Sequence, residues 1–409
     1  MAWAYVLRPP EMAEFRRCRR AWDLGARIRQ SYVPAVPSRA FDFDKAIHDA
    51  LAVYYFPAMD DWDRAIVRPL ALKGFRRSLE QDRSHYGEVA DLTDEQERDF
   101  AEALEVGEDL LNRYFTWAAP LDTFASIFSD QEYWAPIPDL ANPGSDQVDA
   151  EGHELRLLGR VDQLFSDPND EYWIADHRVV RDAWTDDDQL LLDVDGLTAV
   201  WATEQTYPQL RIAGTVYNEL RVDTVEGDAA ASSASAALDA LVDDRTMQQA
   251  RHVHTRRSPV TPDEAMVELE TALVTVEAPG RTVEGYPVDY IVARETSGGF
   301  RRTYVRRGQT SIRNAGLLVS AEAAIMSDPG VAVYPSPSRE NCSGCDFRAP
   351  CLAMQEGADA GPVLRAAFRP RTEEEGEEER LRWSIGRAQT RASMSGRDSQ
   401  PTTVNFHWG

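Results

Sequence analysis

Residues 154–165 read ELRLLGRVDQLF, residues 166–171 read SDPNDE, and residues 172–180 read YWIADHRVV. Two runs rich in Leu, Ile, Val, Phe, Tyr and Trp flank a segment of turn-forming residues, which predicts a β-hairpin. Side chains alternate along a strand, so Asp176 and Arg178 share one face. Asp162 lies on the first strand and Asp176 on the second. Two carboxylates converging across neighbouring strands can hold a divalent cation such as Mg²⁺ or Mn²⁺, which activates water for attack on a phosphodiester. Either aspartate taken singly also fits a solvated position at a strand end.

The periodicity changes on both sides of this hairpin. Upstream, residues 62–86 and 94–115 have long mixed apolar and charged runs with few breakers, which predicts helices. That section contains His48, in FDKAIHDAL, as a further candidate imidazole ligand or a packed helix histidine. Downstream, residues 190–204 read as a helix and residues 210–222 (LRIAGTVYNELRV) as another strand. Residues 227–244 are low in large apolar side chains and suit an exposed insertion. The stretch up to Met326 reads as helical again, and beyond about Arg369 disorder is expected. The expected divisions are a helical section at 1–130, a β-rich core at 131–225, an insertion at 226–260, a C-terminal section at 261–368, and an acidic tail at 369–409.

With 409 residues and 43% hydrophobic content, the chain can bury a sizeable core. No run approaches the roughly 20 apolar residues of a membrane span, and the charged N-terminal stretch lacks a signal peptide's apolar run. A cytoplasmic protein without a membrane partner is expected. The net charge of −25 argues against a generally basic nucleic-acid coat but allows a local basic groove. Lys45 and Lys73 are the only lysines among 44 basic residues.

There are four cysteines: Cys18, Cys342, Cys345 and Cys351. The last three form C-x2-C-x5-C in a loop containing Gly and Pro, which lets thiolates converge, and Cys18 is the remaining candidate for a fourth ligand. In a reducing compartment such a set is more consistent with a metal centre than with disulfides. Four thiolates suit an iron–sulfur cluster or structural zinc. Zinc usually draws ligand pairs from two knuckles, whereas here one cysteine stands more than three hundred residues from the others, which favours a 4Fe-4S cluster. Such a centre would clasp the two ends of the chain. Ordinary buried cysteines are the plainer alternative.

Taken together, these residues resemble the RecB-like branch of the PD-(D/E)XK nuclease superfamily. Its iron–sulfur members include the CRISPR-adaptation exonucleases and the AddB-type helicase–nuclease subunits. The resemblance runs from Cys18 to Cys351 and rests on the order of elements. A first cysteine is followed by a helix with a metal-binding histidine (His48), Gly-x-x-Asp (Gly159, Asp162), an Asp-x-Lys strand matched at Asp176, and the three-cysteine loop. The family's lysine is replaced by Arg178, and its Gln and Tyr on the next helix fall at Gly196 and Val200. Lys45, one helical turn before His48, is a candidate substitute for the lysine.

The resemblance implies a restriction-endonuclease-like α/β fold, a mixed sheet flanked by helices, with an N-terminal helical section and a C-terminal iron–sulfur clasp. It implies metal-dependent hydrolysis of DNA, single-stranded or at ends, with Asp162, Asp176, Arg178 and Lys45 as catalytic candidates. The metal ligands would be His48, Asp162 and Asp176. A catalytically impaired relative that binds nucleic acid or a protein, through Arg178 or the acidic tail, is the second expectation. RHVHTRR (251–257) and FRRTYVRR (300–307) are either basic strips for nucleic acid or solvated strand faces.

Overall fold

A computed structural model describes residues 5–181, 183–222, 272–274, 282–283, 286–287 and 289–372. The expected hairpin forms as strands Leu155–Ser166 and Tyr172–Val180, antiparallel from Gln163 opposite Ala175 to Ser166 opposite Tyr172. In chain order the strands are β1 (Tyr5–Leu7), β2 (Tyr32–Pro34), β3 (Ala125–Pro136), β4 (Leu155–Ser166), β5 (Tyr172–Val180) and β6 (Ile212–Arg221). They continue as β7 (Ala272–Val274), β8 (Thr282–Val283), β9 (Tyr286–Pro287), β10 (Tyr290–Ser297), β11 (Phe300–Arg306) and β12 (Phe368–Pro370). Eight of them make one mixed sheet in the order β1-β4-β5-β6-β11-β10-β7, with β3 along the other edge of β4. The β1–β4 and β5–β6 pairs are parallel and the remaining pairs of this sheet antiparallel.

The long strand β4 is shared between neighbours. One edge pairs with β3 along almost its whole length, while the other pairs with β1 at Leu155–Leu157 and with β5 at Gln163–Ser166. Residues 158–162 on that second edge lie between the two ladders. Past Ala175, β5 leaves β4 and stays with β6, so the strands splay into a wedge at Asp162 and Asp176.

Helices cover both faces of the sheet. On one face, α1 (Pro9–Arg17), α2 (Arg19–Gly25), α7 (Val194–Thr206) and α8 (Gln309–Met326) bury Met12, Phe15, Trp22, Val200, Ile312 and Val319 against Leu157, Leu164 and Ile174. On the other, α3 (Phe43–Tyr54), α4 (Arg64–Gly87) and α5 (Asp94–Ala118) bury Ile47, Phe75, Leu110 and Phe115 with Leu220 and Phe300. Their starts are set by local chemistry. Thr93 and Gln96 close a reciprocal capping box on α5, and Asp42 accepts the Lys45 N–H at 3.0 Å to cap α3.

The fold differs from expectation in two places. The helix expected at 190–204 is two helices, α6 (Asp187–Leu191) and α7, because Asp193 caps the second through the Asp195 and Gly196 N–H groups. The stretch before Met326, expected to be helical, contains the β10–β11 hairpin, and only Gln309–Met326 is helical. The insertion at 226–260, the RHVHTRR segment and the tail from residue 373 lie outside the described residues. Among the described residues, no helix is long and apolar enough to cross a membrane.

The two ends of the described chain meet. β12 pairs antiparallel with β2, and Phe347 stacks on Phe368 with ring centroids 5.1 Å apart over a small core of Leu24, Ala360 and Leu364. Short helices α9 (Arg339–Ser343), α10 (Arg348–Gln355) and α11 (Gly361–Ala367) carry this segment.

Candidate functional site

The wedge between β4 and β5 opens into a cavity of about 460 Å³ lined by His48, Asp49, Asp130, Asp162 and Asp176, with Gly159 and Gly196 in its wall. α3 brings His48 to it, so that Nδ1 lies 3.3 Å from Asp162 Oδ1. The other oxygen of Asp162 accepts the His177 backbone N–H at 2.7 Å, just where β5 has lost β4 as its ladder partner. A side-chain carboxylate here takes over a strand hydrogen bond, which fixes its orientation in the wedge.

The charges are strongly coupled. Burial pushes Asp162 up, but the neighbouring His48 and the hydrogen bonds it receives win, and its pKa falls to about 2. Burial disfavours charge on His48 too, yet Asp162 holds its proton and raises the pKa to about 9. His177 lies on the opposite side of β5, stacked on Tyr55 and accepting from Asn218 Nδ2 at 2.9 Å. Burial lowers its pKa to about 3, which favours the neutral imidazole, and its ring lies edge-on to that of His48 with centroids 6.1 Å apart. Asp176 is raised to about 6 by burial, against the pull of Arg178.

Arg178 is held by two carboxylates. Its Nη2 donates to Asp176 Oδ2 at 2.7 Å and to Asp193 Oδ2 at 2.6 Å, and its guanidinium lies 4.4 Å from the Tyr217 ring centroid. Tyr217 Oη donates to the same Asp193 oxygen at 2.8 Å. This assembly explains Gly196: a Cβ there would come within 2.6 Å of Tyr217 Oη and 2.9 Å of Asp193 Oδ2. Val200 is wholly buried in the core beneath.

Lys45 points elsewhere. Its Nζ makes a 2.6 Å ion pair with Asp82 and lines a neighbouring cavity, whose wall shares Arg8, Pro10 and Arg27 with the first. His48, Asp162 and Asp176 therefore line one cavity, though the three do not each bring a ligand atom within 4.8 Å of the others, and Lys45 lies outside it. Sequence reasoning missed Asp49 and Asp130. Burial raises their pKa values to about 6 and about 7. Asp130 sits in the left-handed region (φ 52°) between the pairs Ser129–Gln163 and Gln131–Val161, a register that sets it across from Asp162. It pairs with Arg160.

The cysteines are partly buried free thiols. Cys18 is the extended residue between α1 and α2. Next to it, Arg17 Nη1 donates to the Asn341 carbonyl at 2.7 Å, and Asn341 Nδ2 returns a 3.2 Å bond to the Arg17 carbonyl. Asn341 precedes Cys342, so this reciprocal pair docks the first cysteine on the three-cysteine loop. Arg20 Nη1 lies 3.5 Å from the Cys351 carbonyl and 3.7 Å from its Sγ. Among the described residues, only Asp149, Glu151 and His153 bring three ligand atoms within 4.8 Å of one another. They form a turn in which Asp149, its side chain buried, accepts the Glu151 and His153 N–H groups.

The expectation that FRRTYVRR offers a nucleic-acid strip or a solvated face is corrected. Arg301, Arg302 and Arg307 are at most 7% exposed. Arg301 Nε donates to Glu219 at 2.7 Å, Arg302 pairs with Asp122 at 3.0 Å, and Arg307 pairs with Asp289 at 3.1 Å. Arg306, partly buried, pairs with Glu171.

No family model and no curated protein matches this chain. Among solved structures, the crystal structure of SSO0001 matches with 10% identity and a TM-score of 0.17, covering 57% of this chain and 86% of that one. A likeness of that size carries no argument about fold or function.

Proposed function

We propose that this chain is a DNA-processing protein of the PD-(D/E)XK nuclease type, with a divalent-metal site at His48, Asp162 and Asp176 and a 4Fe-4S cluster on its four cysteines. One observation carries this reading: a helix histidine, the aspartate of Gly-x-x-Asp and the first residue of the next strand's Asp-x-Arg line one cavity where two strands part. One imidazole and two carboxylates suit Mg²⁺ or Mn²⁺, which when bound would polarise a phosphoryl oxygen and lower the pKa of water. Asp162 is already oriented by the His177 N–H, and the surplus of carboxylates gives the cavity a charge that a dication would offset.

The segments that carry Cys18 and the other three cysteines dock on each other through Arg17 and Asn341, which supports one shared centre on the four thiols.

A second reading, a nuclease-fold protein that binds nucleic acid or a partner without cleaving it, is favoured by Arg178. Bound to both Asp176 and Asp193, it occupies one Asp176 oxygen that a metal would need and does not offer a compact ammonium to a phosphate. Anaerobically purified protein is incubated with labelled single- and double-stranded DNA and Mn²⁺, beside Asp176→Ala. Cleavage lost in that variant is expected; no difference between the two removes the enzyme reading and leaves the second.

A further inference from the structure

The sequence FRRCRR surrounds Cys18 with four arginines, and two of them turn toward the three-cysteine loop. Arg20, in the first turn of α2, reaches Cys351 at both its carbonyl and its sulfur. Arg17, in the last turn of α1, faces the Cys345 thiol and pulls against the burial that raises that thiol's pKa. The two guanidiniums differ in their counter-charges. Arg17 is clamped by Glu14 through bonds of 2.6 and 2.7 Å, so most of its field is cancelled locally.

This inference rests on the cluster reading above. We propose that Arg20 is a positioning residue for the iron–sulfur cluster, donating a charge-assisted hydrogen bond to the Cys351 thiolate and holding the cluster's reduction potential up. Adding one electron makes a four-thiolate cluster one charge more negative. A cation hydrogen-bonded to a ligand sulfur stabilises that reduced state more than the oxidised one, so it favours electron uptake. Glu14 mutes the same action of Arg17 on Cys345, so the two arginines contribute unequally although both lie within two residues of Cys18.

The test is an anaerobic redox titration with dithionite as reductant, followed by electron paramagnetic resonance, on full-length protein whose iron and sulfide content is measured first. Arg20→Gln is expected to keep its iron and show a lower midpoint potential. Arg20→Lys falls between it and the wild type. Glu14→Gln shifts the midpoint the opposite way, upward. Arg348→Gln, which removes an exposed arginine from the same loop, leaves it in place. A midpoint of Arg20→Gln equal to that of the wild type overturns the proposal, as does an equal shift in Arg348→Gln. Should Arg20→Gln lose its iron, an Arg20→Lys midpoint equal to the wild type does the same. Stoichiometric zinc in place of iron, seen before any potential is read, removes the cluster reading and this inference with it.

Discussion

Replacing Asp130 by Asn is predicted to stabilise the metal-free protein at pH 8 and to have little effect near pH 4. Burial lifts the Asp130 carboxyl from 3.8 to about 7, even with Arg160 beside it. The sign follows from linkage. Between pH 3.8 and 7 the folded state binds more protons at this position than the unfolded state, so stability falls as pH rises through that window. The full penalty is present above pH 7. A displacement of that size corresponds to about 4 kcal/mol. The side chain keeps 17% exposure, and solvent screening reduces the expected gain to about 2 kcal/mol. Asn adopts the left-handed conformation found at this position more readily than most residues, so the backbone is not newly strained. The assay is urea denaturation in a chelator at both pH values. A gain of the same size at pH 4 and pH 8, or no gain at pH 8, refutes the argument. With Mn²⁺ present, the wild type should recover much of the difference, because a dication offsets the charge that the variant removes.

Other expectations follow from packing and pairing. Gly159→Ala should lower the melting temperature, with a cost of about 1–3 kcal/mol, because its Cβ would lie 2.2 Å from Oη of Tyr133, itself only 2% exposed; an unchanged melt would show that the wall has room to yield. Arg302→Met should cost about 3–5 kcal/mol in urea denaturation by leaving Asp122 buried and unpaired. Adding Asp122→Asn should recover part of that loss, and a single-variant cost below about 1 kcal/mol would contradict it. Cys351→Ser should lose iron and speed hydrogen exchange in both β2 and β12, whereas exchange confined to the loop would deny the clasp.

The hairpin was legible because burial of both its strands leaves a dense apolar pattern around a turn, and the helices at 64–87 and 94–118 because long mixed apolar and charged runs outweigh their few breakers, Pro69, Gly74 and Gly107. The β10–β11 hairpin was not. Its arginines read as solvent-facing because their partners, Glu219 and Asp122, lie 82 and 180 positions away, and nothing local announces a buried ion pair. His48, Asp162 and Asp176 were singled out through the residues around them and line one cavity, whereas Asp49 and Asp130 on the same wall are two carboxylates among 69 acidic residues. Asp193 fell inside the single helix expected at 190–204, so its role as a cap was not read, and its hold on Arg178 depends on β5 and α7 packing side by side.

That hold is where the two functional readings divide. In an Asp-x-Lys strand, a flexible ammonium can approach the phosphate from beside the metal. Here the corresponding guanidinium is engaged by a helix cap, stacked on Tyr217, and raised further in pKa by both carboxylates despite its burial. The space that a long side chain at Gly196 would occupy is taken by Tyr217 and Asp193. Arg178, Asp193, Tyr217 and Gly196 therefore form one structural unit: enlarging Gly196 would strike the cap, and removing the cap would leave Arg178 with Asp176 alone. The other arginines of the wall are engaged too, Arg160 with Asp130 and Glu132 and Arg8 with Glu11. Under the nuclease reading, cleavage would require that substrate draw Arg178 from Asp193 or draw an arginine of the wall from its own carboxylate, so the two readings differ in whether nucleic acid displaces one of these ion pairs.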